Sequence, residues 1–397
     1  MKISNFGRDF LLLALRIGKH KKDYVDYYIG PREISDKVDR EEQVSPKRLL
    51  KECERLQTEL LVQGYNKKRE HYIEKMLIAM RTSVETLKGI FIPFKERFLR
   101  LYDIDLKPVN IKELENLRTE VNEAFGGDLG LEKSLAEIRE RRKIRESDLI
   151  ILFNKALNIT KNRTKELFVD LLPHDEYVKI EIVEDLKGAV FNQYLGNFHS
   201  GIQLNPKFGI YSTALLSSAA HEGYPGHHTE FVVKEQRLYK KSHQYEHSIL
   251  LLNSPKLLIS EGIADLAINM LFSYQDQTEI TLQNFNPNLT KEESLDKLTR
   301  QNKIKGKIHL FWYHLAYLAL VERWDEKKLK KYALDFEFYG QKIVNSRIKL
   351  FTNNVFSTNL FTYNLGRNLL INKFGEFPSI RDFRTLLETS ILPSDLA

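Results

Sequence analysis

Proline and glycine side by side within a would-be helix restrict a backbone more than any apolar pattern does. Residues 219 to 231, AAHEGYPGHHTEF, carry such a pair between histidines. Pro225 has no N–H to donate, its ring presses on the carbonyl of His221, and it pushes Tyr224 away from helical dihedrals. Gly226 then tolerates backbone angles closed to other residues. Together they predict a helix that breaks or bulges between Tyr224 and His227.

Three of the chain's eleven histidines fall in this stretch. In the zinc-peptidase helix H-E-x-x-H, histidines at i and i+4 share one face and reach one metal, and the glutamate between them acts as general base. His221 and Glu222 open that pattern, but position 225 is proline, so a strict match fails. On a regular helix His227 would lie about 240° round from His221, and His228 would stand about 10.5 Å further along. If Pro225 and Gly226 loop out as a two-residue insertion, His227 takes the missing i+4 place. The expected zinc pair is therefore His221 and His227, with His228 as the competing ligand.

A zinc site needs a third protein ligand and an open position. Downstream, LLISEGIADLAINML has helical apolar spacing and offers Glu261, either a dipole partner in a first turn capped by Ser260 or a ligand. Asp265, one turn later, could accept the second ring N–H of a ligating histidine. Glu230, Glu235, Glu246 and His247 compete for the ligand role. They rank lower because HTEFVVKEQRLYKK reads as an amphipathic helix with solvent-facing charges, and His243 with His247 lacks the H-E core.

The rest of the chain frames this cluster. Apolar residues recur at spacings of three and four from Ser45 to Gly89, with Ser45-Pro46 as a helix start. Helical patterns continue over 9–20, 110–124, 131–142, 147–168, 212–224, 229–240, 260–274 and, with a break, 298–333. DYVDYYIGPRE reads as a Tyr-rich turn. Alternation in YVKIEIV and VFNQYLGNFHSGIQLN predicts two or three strands of a small antiparallel sheet just before the histidines. The fold class expected is mainly α: a single helical unit over 1–397, divisible into an N-terminal helical subregion, 1–170, and a catalytic subregion, 171–397.

Net charge is +7, but Lys and Arg alternate with Glu, so a solvated surface is expected and no nucleic-acid partner. A single cysteine, Cys53, leaves no internal disulfide and no cysteine-based zinc site. The apolar run from Phe10 to Leu15 is shorter than a signal-peptide core of roughly 7 to 15 residues. No stretch approaches the ~18 apolar residues of a membrane span. A cytoplasmic protein without a membrane partner is expected, its oligomeric state open.

HEGYPGHH followed by EGIAD resembles the motif pair of the domain of unknown function 885 family, zinc metallopeptidases by prediction. ALRIGKHKKDYVDYYIGPRE, QYLGNFHSGIQLN and FTYNLGRNLL are similar to segments of that family in the same order, so the resemblance covers nearly the whole chain. It implies a helical gluzincin-like metallopeptidase fold with the sheet beside the active-site helix. It also implies one Zn2+, with Glu222 as general base and Glu261 completing the ligand set of His221 and His227. His199 departs from the resemblance, which has arginine there.

The expected reaction is hydrolysis of a peptide, with zinc activating water and Glu222 taking its proton. Tyr363 is the candidate donor to the developing oxyanion, and Arg367 a candidate anchor for a substrate carboxylate. Both could equally pack a C-terminal helix. Asn197 and His199 are candidate substrate contacts, on a strand that could pair with an extended peptide. Two other readings fit the same residues: a zinc hydrolase of a non-peptide amide or ester, and a basic helical scaffold with a structural metal.

Overall fold

The computed structural model describes residues 3–126, 130–186, 188–291, 293–351 and 361–396. It is mainly helical, and local capping explains where many helices start. Ser4 accepts from the Gly7 N–H to open Asn5–Gly18, and Asn66 accepts from Arg69 to open Lys67–Leu87. Pro46 opens Pro46–Leu60 at the position where its missing N–H costs nothing. The i, i+3, i+4 pattern of Ile73, Met76, Leu77 and Met80 becomes one buried face.

Apolar residues gather in two clusters. Phe10, Leu13, Leu49, Met76 and Met80 form the first, closed by Ile249, Leu251 and Leu392 from far along the chain. The second takes in the helices Phe94–Tyr102, Ile111–Phe125, Leu131–Arg142 and Glu146–Leu167, through residues such as Phe98, Leu117, Leu135 and Phe153. Tyr224, Leu258, Ile263, Phe311 and Phe383 share that cluster, so these helices support the histidine region directly.

Among the described residues, five strands make two small sheets. β1 (Val25–Tyr28) pairs antiparallel with β5 (Ile249–Leu251), where a Tyr-rich turn was expected. Its partner lies more than 200 residues away, and no local pattern announces such a pairing. In the second sheet β3 (Val190–Gly196) and β4 (His199–Leu204) form the expected antiparallel hairpin, and β2 (Tyr177–Ile182) joins β4 in parallel. The order is β2-β4-β3. β4 is thus hydrogen-bonded on both sides, so the strand carrying Asn197 and His199 has no edge to offer a peptide.

The long pattern 298–333 is broken twice, by a 3₁₀ turn at Gly306–Ile308 and again before Asp325 caps Glu326–Asp335. Helix Pro255–Leu271 starts five residues earlier than expected, with Ser254 as its cap. Ser260 is therefore not a cap, and Glu261 lies in the helix interior, which removes the dipole-partner role. No single helix among the described residues is long and apolar enough to cross a membrane.

Candidate metal centre

The interruption expected at Pro225 takes a definite form. Helix Leu215–Glu222 ends, and helix His227–Lys234 begins directly after Gly226. Across the junction the Gly226 N–H donates to Ala220 O at 2.9 Å and Thr229 N–H to Gly223 O at 3.3 Å. These bonds span six residues where an α-helix spans four, so two residues are inserted. Both glycines are required by the backbone around them: a Cβ on Gly226 would lie 2.0 Å from His221 O, and one on Gly223 2.6 Å from Ala219 O. The Tyr224–Pro225 peptide is cis. Tyr224 is buried and its hydroxyl donates to Glu176 at 2.5 Å.

The insertion turns His227 toward His221. Their rings lie 4.8 Å apart at 90°. Glu261 Oε2, from helix Pro255–Leu271, is 3.6 Å from His221 Nε2 and 3.9 Å from His227 Nε2. One ligand atom from each of the three residues lies within 4.8 Å of the others. Tetrahedral zinc with bonds of about 2.1 Å holds its ligand atoms about 3.4 Å apart, so shifts of about 1 Å or less close the shell. Glu261 Oε2 and Asp265 Oδ2 are buried without a hydrogen-bond partner, as oxygens awaiting a cation or a donor would be. Two imidazoles and a carboxylate suit zinc.

The surrounding groups fix the rings. Asp265 Oδ1 is 3.1 Å from His221 Nδ1, leaving Nε2 to face Glu261. Ser260 Oγ is 3.3 Å from His227 Nδ1. His228 is spent elsewhere: Nδ1 meets Ser200 Oγ at 2.8 Å and Nε2 meets Glu176 Oε2 at 3.2 Å. With both ring nitrogens engaged away from the trio, His228 ties the helix to β4.

Burial sets the electrostatics. It pushes the Glu222 carboxyl up to about 7, against the opposing charge of His221. It pushes Glu261 up to about 8, again opposed by His221. Burial would lower His221, but the Asp265 hydrogen bond and the charges of Glu222, Asp265 and Glu261 raise it to about 10. Burial holds His227 well below the usual imidazole value, helped by the charge of His221. Asn192 Nδ2 donates to the backbone O of Glu222 at 2.5 Å, which anchors this helix end to β3.

Tyr363, on helix Thr362–Phe374, is 42% exposed, yet its phenol is raised well above its ordinary value. The charge of Glu261 is the largest cause, followed by burial and the charges of Glu222 and Asp265. The phenol proton is therefore held by the charge of the surrounding carboxylates. Two residues that sequence reasoning missed share this electrostatic neighbourhood. His309 stacks on Tyr363 with centroids 6.3 Å apart and feels the charges of Asp265 and His221. Asp26, in β1, acts on Glu222, Glu261 and Tyr363. Asp26 lies in the quoted segment DYVDYYIGPRE and His309 in no quoted segment, and only their long-range packing reveals their place beside the site.

Other candidates sit differently. Arg367 is paired with Glu376 at 3.2 Å, which also accepts from Tyr274. The Asn197 N–H is committed to Glu235 Oε1 at 3.1 Å in the β3–β4 turn. His199 packs edge-on against Tyr177, on the sheet face opposite Ser200. Of the charges expected to face solvent after His228, Glu230, Lys234 and Glu235 are buried: Glu230 pairs with Lys234 at 2.6 Å, and Glu235 with the exposed Lys240 at 2.8 Å. Glu246 is buried against Arg69 at 2.8 Å, and His247 is buried with Nε2 on Ser390. None of these four reaches the trio as a ligand; His243 is exposed.

No family model and no curated protein matches the chain. Among solved structures it is similar to the "putative lipoprotein" of Colwellia psychrerythraea, at 11% identity and a TM-score of 0.55, covering 89% of this chain. The chain spans 66% of that protein's length. It is also similar to a "putative lipoprotein of unknown function" from Shewanella oneidensis, at 11% identity and a TM-score of 0.45, over 90% of this chain and 76% of the other. At these identities the Colwellia likeness is one of fold alone.

Proposed function

We propose that the chain is a zinc-dependent peptidase. The observation that carries this reading is the convergence of His221, His227 and Glu261 beside Glu222, with a buried carboxylate oxygen left unpartnered among them. The resemblance of HEGYPGHH and EGIAD to metallopeptidase motifs supports it.

Zinc held by the trio would polarise water and a substrate carbonyl. Glu222, raised by burial to about 7, is suited to take a proton near neutral pH. Tyr363 keeps its hydroxyl proton against the nearby carboxylates and can donate it as a hydrogen bond to an oxyanion.

One feature favours a peptide over another amide or an ester. β3 lies at the sheet edge, makes no ladder bond on its second side among the described residues, and carries the Asn192 that holds Glu222. An extended backbone could pair there beside the general base. β3 thus takes the role first assigned to the strand of Asn197 and His199.

The test is zinc content together with hydrolysis of a peptide library by wild type and Glu222→Gln. Stoichiometric zinc in both proteins and loss of cleavage in the variant are expected. Absence of zinc, or cleavage that survives the substitution, overturns the reading.

A further inference from the structure

His221 has Asp265 directly behind it, whereas no carboxylate among the described residues reaches the Nδ1 side of His227. What stands there is Ser260, whose Oγ is 3.3 Å from His227 Nδ1 and 2.5 Å from Glu230 Oε2. Ser260 and Glu230 are both fully buried, so no solvent competes for these bonds. The other oxygen of Glu230 accepts from Lys234 Nζ at 2.6 Å.

The proton positions follow from donor and acceptor capacity. Ionised and paired with Lys234, Glu230 can only accept, so the Ser260 hydroxyl proton goes to Glu230. Ser260 Oγ then has only lone pairs to present to His227. Nδ1 must carry the ring proton, and Nε2 is left bare on the side of Glu261, 3.9 Å away. The other tautomer would set two lone pairs face to face, and a ring flip would put a carbon where the Nδ1–H donor stands, in a site buried from solvent.

We propose that Ser260 and Glu230 form a relay that fixes His227 in its metal-binding tautomer, with Glu230 a positioning residue that reaches the ligand through Ser260. The inference rests on the zinc reading above. It explains why Glu230 and Lys234 are buried one turn apart on the helix that starts at His227: the helix supplies both the ligand and the far end of its support. The two histidines are then held by different means, His221 by a direct carboxylate and His227 by a hydroxyl-relayed one. Loss of such outer support costs about 10- to 100-fold in metal affinity in other sites.

The experiment uses the full chain and the substitutions Ser260→Ala and Ser260→Thr. Histidine tautomers are read by long-range 15N–1H correlation in the metal-free protein, with His227→Gln for assignment. Zinc affinity is read by chelator competition. In wild type and Ser260→Thr, His227 is expected as the Nδ1–H tautomer. In Ser260→Ala that preference is lost, and zinc affinity falls about 10- to 100-fold in a protein that still folds cooperatively, with the lower melting temperature that loss of a buried hydrogen bond to Glu230 brings. Unchanged tautomer and affinity in Ser260→Ala overturn the relay, as does a Thr variant that behaves like Ala. A wild type that shows the Nδ1–H tautomer but binds no zinc leaves the relay standing and overturns the peptidase reading instead.

Discussion

A methyl group on Gly226 would lie 2.0 Å from the carbonyl oxygen of His221, inside any permitted contact. The residue that ends the insertion is therefore packed on the backbone of the first ligand. Gly226→Ala is expected to force the two helices apart, at a cost of about 1–3 kcal/mol or more. Because the shift separates His221 from His227, zinc affinity should fall with stability. Gly201→Ala is the control, since a Cβ there meets nothing within 4 Å. Denaturant titration and zinc competition on both variants check this; a zinc site that survives Gly226→Ala would deny the insertion its role.

Gly262 and Gly366 bring the helices Pro255–Leu271 and Thr362–Phe374 into backbone contact. A Cβ on Gly366 would be 2.3 Å from Leu258 O, and one on Gly262 2.6 Å from Gly366 O. The close crossing fixes the helix that carries Tyr363 against the helix that carries Glu261, whose charge acts on the phenol. Gly366→Ala should push the second helix outward and withdraw Tyr363, lowering kcat toward the value for Tyr363→Phe, a loss of about 10²–10³ if the hydroxyl serves the oxyanion. Steady-state kinetics on the two variants and their double mutant check it. Additive losses would mean that the glycine acts elsewhere.

Which parts of this arrangement were legible follows from how local their causes are. The bulge was readable because proline and glycine act on their own backbone, and Asp265 because one helical turn fixes its place relative to Glu261. The start of that helix was misjudged because Ser260 looked like a cap, whereas the cap is Ser254 ahead of Pro255. Glu230 and Glu235 were misread as solvent-facing because a charge in an amphipathic pattern gives no sign of a buried partner. β1, Asp26 and His309 were hidden for a different reason. Their neighbours come from distant segments, and packing decided what pattern could not.

The metal-free site should make stability fall as pH rises. Burial raises Glu222 to about 7, Glu261 to about 8 and Asp26 to about 6, all above the usual carboxylate range. A carboxyl raised on folding contributes stability below its unfolded pKa and loses it as pH climbs through the folded one. Glu176 has the opposite sign. Burial would raise it, but hydrogen bonds from His228, Lys161 and Tyr224 bring it to about 2, so its contribution fades in acid. Below the ordinary imidazole value the trend is opposed by His227, which burial keeps neutral, so the melting temperature of chelator-treated protein should decline from about pH 6.5, the ordinary imidazole value, toward pH 8. Zinc needs the deprotonated ligands, so its stabilising shift should grow over that same interval. A zinc-induced shift that shrinks between pH 6 and pH 8 would contradict the ligand assignment.

Asp26 offers a sharper test of the electrostatics. In the β1–β5 ladder Val25 faces Leu251 and Tyr27 faces Leu250, so Asp26 is the extra residue of a bulge. Bulges turn a side chain out of the sheet's alternation, and this carboxylate acts on Glu222, Glu261 and Tyr363. Its negative charge raises the pKa of Glu222, so Asp26→Asn should lower it. The acid limb of the kcat/KM profile then moves to lower pH, by about half a unit or less for a charge acting across several ångströms of partly solvated space. Zinc changes the absolute position of that limb but not the sign of the shift, because removing a negative charge always favours the ionised base. A limb that stays in place or moves toward higher pH would show that Glu222 is not the group being titrated.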